Sequence, residues 1–237
     1  HAHGQTNDAH KYQARDGVTT ALDMEAGAAF LREWIETKEG NSILNYGGTA
    51  PHGFLRALAM DVNQKIAKKM ANQIKKEGIN LEGLASRMFD VELASARYKS
   101  LNQKEIDKSH EMLNVYLEAG ALGIGVPVGY YPGATAAEIF QVYEFAKSKD
   151  VPVYTHTRGF GLLGLQEAMA DATTSGASVH LVHANSMSLG EIETTLSMVS
   201  SAQKLGLDIT TEVYPYTAAS TGIESTIFDK GWKETLN

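Results

Sequence analysis

Val151-Pro152-Val153-Tyr154-Thr155-His156 and Ser178-Val179-His180-Leu181-Val182-His183 are the two stretches of sequence that decide the fold. Each is a short run rich in apolar and β-branched residues, which is typical of a buried strand, and each ends at a histidine. Helical patterns of ten or more residues follow both runs, over 162–173 and 189–205. Strands that alternate with helices of this length predict βαβ units and a parallel sheet.

The same alternation continues on both sides of these two stretches. Further strands are predicted over 16–24, 42–46, 121–126 and 207–214, and we expect one more strand to lead into His1. Helices are predicted over 28–38, in several pieces between 54 and 117, over 103–118 with Ser100 or Asn102 as N-cap, and over 134–148. Because no internal repeat or low-complexity linker separates these segments, we predict a single catalytic domain over 1–237.

Composition excludes several classes of protein. The 237 residues are 43% hydrophobic and 21% charged, which is ordinary for a globular domain with one sizeable core. The net charge of -7 gives no basic footprint for nucleic acid, and no apolar run is long enough to span a membrane. A lysine run between 65 and 76 predicts a solvated helix face, with binding to an acidic partner as the alternative. Cysteine is absent, so any metal must bind to His, Asp or Glu.

Polar residues collect at the carboxyl ends of the predicted strands. Glu25, His156 and His183 each end a different strand, and His1 and His3 would end the strand expected before them. Two histidines one residue apart on an extended segment point to the same side and can reach one ion. In a parallel barrel all the strand ends share one face, where active sites lie. A terminal histidine pair can also be a tag remnant, and a single buried histidine can be merely hydrogen-bonded, but the convergence of five residues indicates a metal site.

The remaining histidines receive structural interpretations. His180 lies three residues before His183, on the other face of the strand, and is predicted to be structural. His10 and His110 lie in polar or helical surroundings and are predicted to face solvent.

Six stretches, spread in order over nearly the whole chain, resemble the amidohydrolase superfamily of metal-dependent (β/α)8 barrels, and within it the N-acyl-D-amino-acid deacylase (D-aminoacylase) group. They are HAHGQ, GVTTALDMEAG, GALGIGVPVGYYPGAT, VYTHTRG, VHLVHANS and TTEVYPYTAAST. The resemblance implies an α/β fold, a TIM-type barrel that is incomplete in this sequence. The strand before His1, the eighth strand and the flanking β-sandwich of the family are missing, so the sequence looks like the middle of a longer enzyme.

The resemblance also implies a ligand set for one or two divalent ions, with zinc as the expected metal. His1 and His3 match the first ligand pair of the family, and His156 and His183 match the ligands after the fifth and sixth strands. Glu25 falls where a D-aminoacylase has a metal-ligating cysteine. A carboxylate at this position can still bind zinc, or bridge two ions, through its oxygens.

Substrate contacts are implied for Arg158, Asn185 and Tyr214. Arg158 follows the THxR pattern of the family, and arginine suits bidentate binding of a carboxylate. Asn185 stands where many relatives have a lysine, which weakens a carboxylate-binding role at this position. His52 and Arg56 match an H-x-x-L-R segment of the family without an assigned role. The catalytic residue is unknown, because the aspartate that the family uses as general acid/base would follow the missing eighth strand.

The function implied is hydrolysis of a linear amide, most like deacylation of small N-acyl-D-amino acids, by a cytoplasmic enzyme that forms a homo-oligomer. Zinc would polarise the amide carbonyl and lower the pKa of a water molecule towards ~7. Full-length protein is expected to be active and this segment alone inactive. One alternative is a cyclic amidohydrolase of the dihydroorotase or hydantoinase kind, although Gly125-Val126-Pro127 closes its strand without the bridging lysine common in those relatives. Another is a catalytically inactive metal-binding barrel.

Overall fold

Parallel strands form the centre of the protein. The computed structural model describes residues 6–77 and 95–236. Its strands are, in chain order, β1 (Thr20–Asp23), β2 (Asn45–Gly48), β3 (Ala50–Pro51), β4 (Ile124–Pro127), β5 (Val153–His156), β6 (Val179–Leu181) and β7 (Ile209–Thr211). Every pairing between them is parallel, in a two-stranded sheet β1-β2 and a five-stranded sheet β3-β4-β5-β6-β7. The predicted α/β class with a parallel sheet is confirmed.

The two sheets meet in one extended segment, residues 45–51, which is interrupted only at Thr49. The amide of Thr49 donates to the carbonyl oxygen of Asp23 at 3.1 Å, on the side of β1. On the other side, the amide of Ala50 donates to the carbonyl oxygen of Gly123 at 2.9 Å, next to β4. Six consecutive parallel strands therefore follow one another in sequence order, without the reversal of order that marks doubly wound sheets.

Helices connect the strands, as the alternation predicted. They are α1 (Asn7–Arg15), α2 (Leu31–Lys38), α3 (His52–Ala59), α4 (Gln64–Glu77), α5 (Ser95–Tyr98), α6 (Gln103–Glu118), α7 (Ala136–Ser148), α8 (Leu162–Ser175), α9 (Ala184–Ser188), α10 (Ile192–Lys204) and α11 (Trp232–Thr235). Asn102 is the N-cap of α6 through a capping box with Glu105. Helix α1 was not predicted. Among the described residues, no helix combines the length and the apolar character needed to cross a membrane.

The hydrophobic core lies between the strands and these helices. Val153 on β5 and Leu181 on β6 are fully buried, and they pack with Val142 of α7 and Leu165 of α8. Since every strand of the larger sheet contributes buried apolar residues to this core, the strand ends are held at fixed positions relative to one another.

A second buried feature, the Arg56–Glu138 clasp, ties α3 to α7. The Arg56 guanidinium donates to the Glu138 carboxylate and to the backbone carbonyls of Ala96 and Lys99. Glu138 Oε2 also accepts from the amide of Leu101 at 3.2 Å. Both charged side chains are 1% exposed, so the pair is stable only because its hydrogen bonds are satisfied. This is a structural position for Arg56.

The prediction that His10 and His110 face solvent is wrong. His10 is only 1% exposed, because α1 packs against the connection after α2, where His10 Nδ1 lies 2.9 Å from Ser42 Oγ. His110 is half-buried, and its ring stacks on Phe145 with 4.7 Å between the ring centroids. In both cases a tertiary neighbour covers a residue whose local sequence is polar.

Candidate metal centre

Glu25, His156 and His183 converge on one point at the carboxyl edge of the sheet. Glu25 follows β1, His156 is the last residue of β5, and His183 follows β6. One potential ligand atom from each residue lies within 4.8 Å of the others. Glu25 and His156 are each 3% exposed, and His183 is half-buried. Parallel strands bring residues from distant parts of the chain to one edge, as the sequence predicted.

The contacts within this cluster are close. His183 Nε2 lies 3.0 Å from Glu25 Oε2. The rings of His156 and His183 are nearly perpendicular, with 5.0 Å between their centroids. A carboxylate oxygen and imidazole nitrogens are ligands that suit zinc. The described part of the chain thus presents a three-residue donor set without any cysteine.

Hydrogen bonds fix the outer nitrogen of each ring. His156 Nδ1 donates to the carbonyl oxygen of Thr157 at 3.0 Å. Ser186 Oγ donates to the carbonyl oxygen of His183 at 3.1 Å, which leaves Ser186 Oγ free to accept from His183 Nδ1 at 2.9 Å. With the protons on both Nδ1 atoms, each Nε2 carries the lone pair that a metal requires. Burial also lowers the pKa of His156, which favours its neutral, metal-binding form.

Two glycines make room for the cluster. A Cβ on Gly129 would lie 2.7 Å from Cε1 of His156, and one on Gly125 would lie 2.3 Å from the carbonyl oxygen of Glu25. Any side chain at these positions would push the ligands apart. The sequence offers the signal for Gly125, since a glycine within a strand marks a close approach of another chain segment, but this role was not predicted.

His183 has an unusual backbone conformation, with φ 31° and ψ 58°. This left-handed geometry turns the chain sharply from β6 into α9, so that both Nε2 of His183 and Ser186 serve the cluster. His180, within β6, contacts Thr210 Oγ1 at 2.8 Å and Glu212 at 3.6 Å. It lies outside the ligand cluster, in agreement with its predicted structural role.

The predicted substrate contacts have different positions. The Tyr214 ring centroid is 6.5 Å from that of His183. Asn185 Nδ2 donates to the carbonyl oxygen of Tyr214 at 3.2 Å, and the Tyr214 amide donates back to Asn185 Oδ1 at 3.4 Å. Asn185 and Tyr214 therefore lie beside the cluster as a hydrogen-bonded unit. Arg158 is directed to α8, where its Nε donates to both oxygens of Glu167 at 2.9 and 3.0 Å.

Tyr130 is a neighbour of the cluster that the sequence interpretation missed. Its ring centroid lies 4.7 Å from that of His156, and its hydroxyl is 3.3 Å from Thr221 Oγ1. The signal was present, because Tyr130-Tyr131-Pro132-Gly133 follows β4 at the same edge of the sheet. His1 and His3 lie outside the described residues, so their contribution stays a prediction.

Part of the chain is similar in sequence to a known enzyme. No model of a known protein family matches the chain. An N-acyl-D-glutamate deacylase of Alcaligenes xylosoxydans xylosoxydans is 29% identical over 126 residues, which are 50% of this chain and 26% of the relative. The chain therefore spans about a quarter of the length of this curated relative.

Solved structures share the fold over most of the chain. N-acyl-D-glutamate deacylase from Bordetella bronchiseptica, solved with zinc and a phosphonate inhibitor that mimics the tetrahedral intermediate, superimposes with a TM-score of 0.65 at 18% identity, over 90% of this chain and 44% of that one. A D-aminoacylase described as defining a novel subset of amidohydrolases gives 0.66 at 19% identity, over 92% and 47%. A D-aminoacylase studied for its binuclear metal centre gives 0.65 at 18% identity, over 91% and 46%.

These findings confirm the resemblance drawn from the motifs. Glu25, His156 and His183 lie at the strand ends that the motifs indicated, and zinc and a binuclear metal centre occur among the structural neighbours. The chain is similar in sequence to an N-acyl-D-glutamate deacylase, and shares the fold of D-aminoacylases, which are amidohydrolases.

Proposed function

We propose that this protein is a metal-dependent hydrolase of a linear amide bond and that its substrates are N-acyl-D-amino acids. The observation that carries the proposal is the convergence of Glu25, His156 and His183 at the carboxyl edge of the parallel sheet. The similarity to an N-acyl-D-glutamate deacylase supports the choice of substrate class.

The residues present fit a zinc ion. Two imidazoles and a carboxylate form a donor set known from catalytic zinc sites, where a further position stays open for water or substrate. Contacts with Thr157 and Ser186 favour ring protons that point away from the cluster. We assign Glu25, His156 and His183 to the tighter ion, and His1 and His3 to a weaker second ion.

In the proposed reaction, zinc would supply Lewis acidity and lower the pKa of a water molecule towards about 7. The chain's own residues hold and orient the reactants. Tyr214 lies beside His183, where its ring and hydroxyl can contact the substrate, and Asn185 fixes the Tyr214 backbone. Tyr130 covers the face of His156. The resemblance implies an aspartate as the general acid/base that would accept the proton of the attacking water.

We infer that the strands belong to a (β/α)8 barrel and that residues 1–237 form part of a single catalytic domain. Six parallel strands in sequence order, joined by helices, support this architecture. The TM-scores of 0.65 and 0.66 to solved deacylases support it as well. A cytoplasmic location and a homo-oligomeric state stay predictions.

The alternatives receive less support. A cyclic amidohydrolase would be expected to use a bridging lysine, and β4 ends at Pro127 without one. A metal-binding barrel without activity would keep the ligand cluster but lack turnover. The discriminating experiment is a metal analysis of the full-length protein together with a hydrolysis screen of N-acyl-D-amino acids, their L-enantiomers, hydantoin and dihydroorotate. We expect bound zinc and hydrolysis of the D-substrates; hydrolysis of only the cyclic amides, or none, would contradict the proposal.

A further inference from the structure

The loop after β5 is held between two helices by the side chain of Arg158. Its Nε donates to both carboxylate oxygens of Glu167 on α8, at 2.9 and 3.0 Å. Its Nη1 donates to the carbonyl oxygen of Ala134, just before α7, at 2.6 Å. Arg158 and Glu167 are both 27% exposed, so this two-oxygen ion pair is largely shielded from water. The pair therefore restrains the backbone that immediately follows His156.

This restraint acts on the hydrogen bond that orients His156. The carbonyl oxygen of Thr157 accepts from His156 Nδ1 at 3.0 Å. That carbonyl belongs to the planar peptide unit that joins Thr157 to Arg158, so it cannot rotate without moving the Arg158 backbone. Thr157 itself is buried. The position of Arg158 thus determines where the acceptor of the His156 ring lies.

Close packing restricts the loop from both sides. A Cβ on Gly164 of α8 would lie 2.4 Å from the carbonyl oxygen of Gly159, and a Cβ on Gly129 would lie 2.8 Å from the carbonyl oxygen of Thr157. The loop therefore fits between α8 and the segment after β4 with little free space. Glu167, one helical turn beyond Gly164, adds its ion pair with Arg158 to these packing contacts.

We propose that Glu167 is a positioning residue for the metal ligand His156. Through Arg158 it holds the Thr157 carbonyl, which in turn fixes the ring and the protonated nitrogen of His156. Arg158 is thereby assigned to ligand positioning and not to binding a substrate carboxylate. This inference rests on the proposed metal-dependent function. Mutation of a residue that orients a metal ligand without touching the metal lowers metal affinity by about 10–100-fold.

The test uses the full-length protein, with zinc affinity measured by competition with a chelator. Cobalt(II) replaces zinc in parallel samples, because its visible spectrum reports the geometry of the ligands. Glu167→Gln keeps the shape and removes the charge; we expect about a 10-fold loss of zinc affinity and a changed cobalt spectrum. Glu167→Asp should recover part of the affinity. Glu144→Gln, an exposed position on α7, is the matched control and should change neither.

Arg158→Lys tests the second link. It should weaken zinc binding to a similar extent, and the double variant with Glu167→Gln should be little worse than either single variant, because both break one connection. Two results would overturn this inference and leave the proposed function standing. One is wild-type zinc affinity with a wild-type cobalt spectrum in folded Glu167→Gln. The other is an effect of Arg158→Lys that is confined to KM. If Glu167→Gln does not fold, wild-type zinc affinity and cobalt spectrum in Arg158→Lys would overturn the inference. A wild-type protein without zinc would overturn the proposed function together with this inference.

Discussion

The Arg56–Glu138 clasp and the Glu25–His156–His183 cluster are both buried and polar, but they differ in how hydrogen-bond donors and acceptors are arranged. In the clasp, donors and acceptors alternate: the Arg56 guanidinium is met by the Glu138 carboxylate and by two backbone carbonyls. In the metal cluster, one potential ligand atom from each of three residues lies within 4.8 Å of the others, and His183 Nε2 is 3.0 Å from Glu25 Oε2, while the contacts of Thr157 and Ser186 favour ring protons on the outer nitrogens.

This difference separates a structural cluster from a binding site. Alternating charges satisfy one another and leave no atom for a ligand. When both ring protons lie on the outer nitrogens, the gathered acceptors repel each other, and a cation bound between them relieves that repulsion. To recognise a metal site, the direction of the hydrogen bonds of a histidine or a carboxylate is therefore more informative than its burial.

The largest effect is expected from Arg56→Met, which leaves the Glu138 carboxylate buried without its cation. We expect the free energy of unfolding to fall by about 3–5 kcal/mol, while zinc affinity of the folded protein stays unchanged. Urea unfolding and zinc titration of full-length protein measure the two quantities. The double variant Arg56→Met/Glu138→Gln should regain part of the stability. A single variant with the wild-type urea midpoint would contradict the clasp as described.

His183→Asn should remove the tighter metal and the activity together. Asparagine tolerates the left-handed backbone at this position, so the fold should survive. Zinc at 100 times its Kd should stabilise wild-type protein by about 2.7 kcal/mol and leave this variant unaffected. His180→Asn, on the other face of the same strand, is the control and should keep the zinc response. A His183→Asn protein with full metal content would remove His183 from the ligand set.

Glu25→Gln keeps the shape of the side chain and removes its charge. We expect metal affinity to fall by more than the ~10–100-fold that the loss of an outer hydrogen-bond partner of a ligand costs. Manganese should be lost more completely than zinc, because harder ions depend more on carboxylate oxygen. Metal content and turnover with each ion measure the effect. Unchanged binding and turnover would make Glu25 an ordinary structural residue, similar in role to Glu138.

The smallest effect is expected from Ser186→Ala, which removes the acceptor of His183 Nδ1. Zinc affinity should fall by about 10-fold, because the ring can then adopt the other tautomer. Ser186→Thr keeps the hydroxyl and should retain most of the affinity. Equal affinities in the alanine and threonine variants would mean that this hydrogen bond does not orient the ring.

Residues at strand ends were predictable from sequence because strand and helix periods are local signals. Glu25, His156 and His183 follow apolar runs whose parallel pairing brings their ends together, and this could be inferred without knowing any contact. The capping of α6 by Asn102 was predictable for the same reason, since the capping box is contained within four residues.

Partners across the fold were not predictable. The ion pair of Arg158 with Glu167 and the hydrogen bonds of Asn185 with Tyr214 could not be inferred from the motifs. His10 lies in a polar sequence and is buried by the connection after α2. These contacts depend on how helices pack on the sheet, which a periodic pattern does not specify.

The left-handed backbone of His183 has a consequence for anyone who engineers this protein. Such a conformation costs a residue other than glycine about 1–3 kcal/mol, and the proposed ligand role explains why an imidazole stands there. A library screened for heat tolerance alone should therefore enrich glycine or asparagine at 183, and its most stable members would be those that had discarded the ligand. Selection for retained zinc would have to accompany every round of selection for stability.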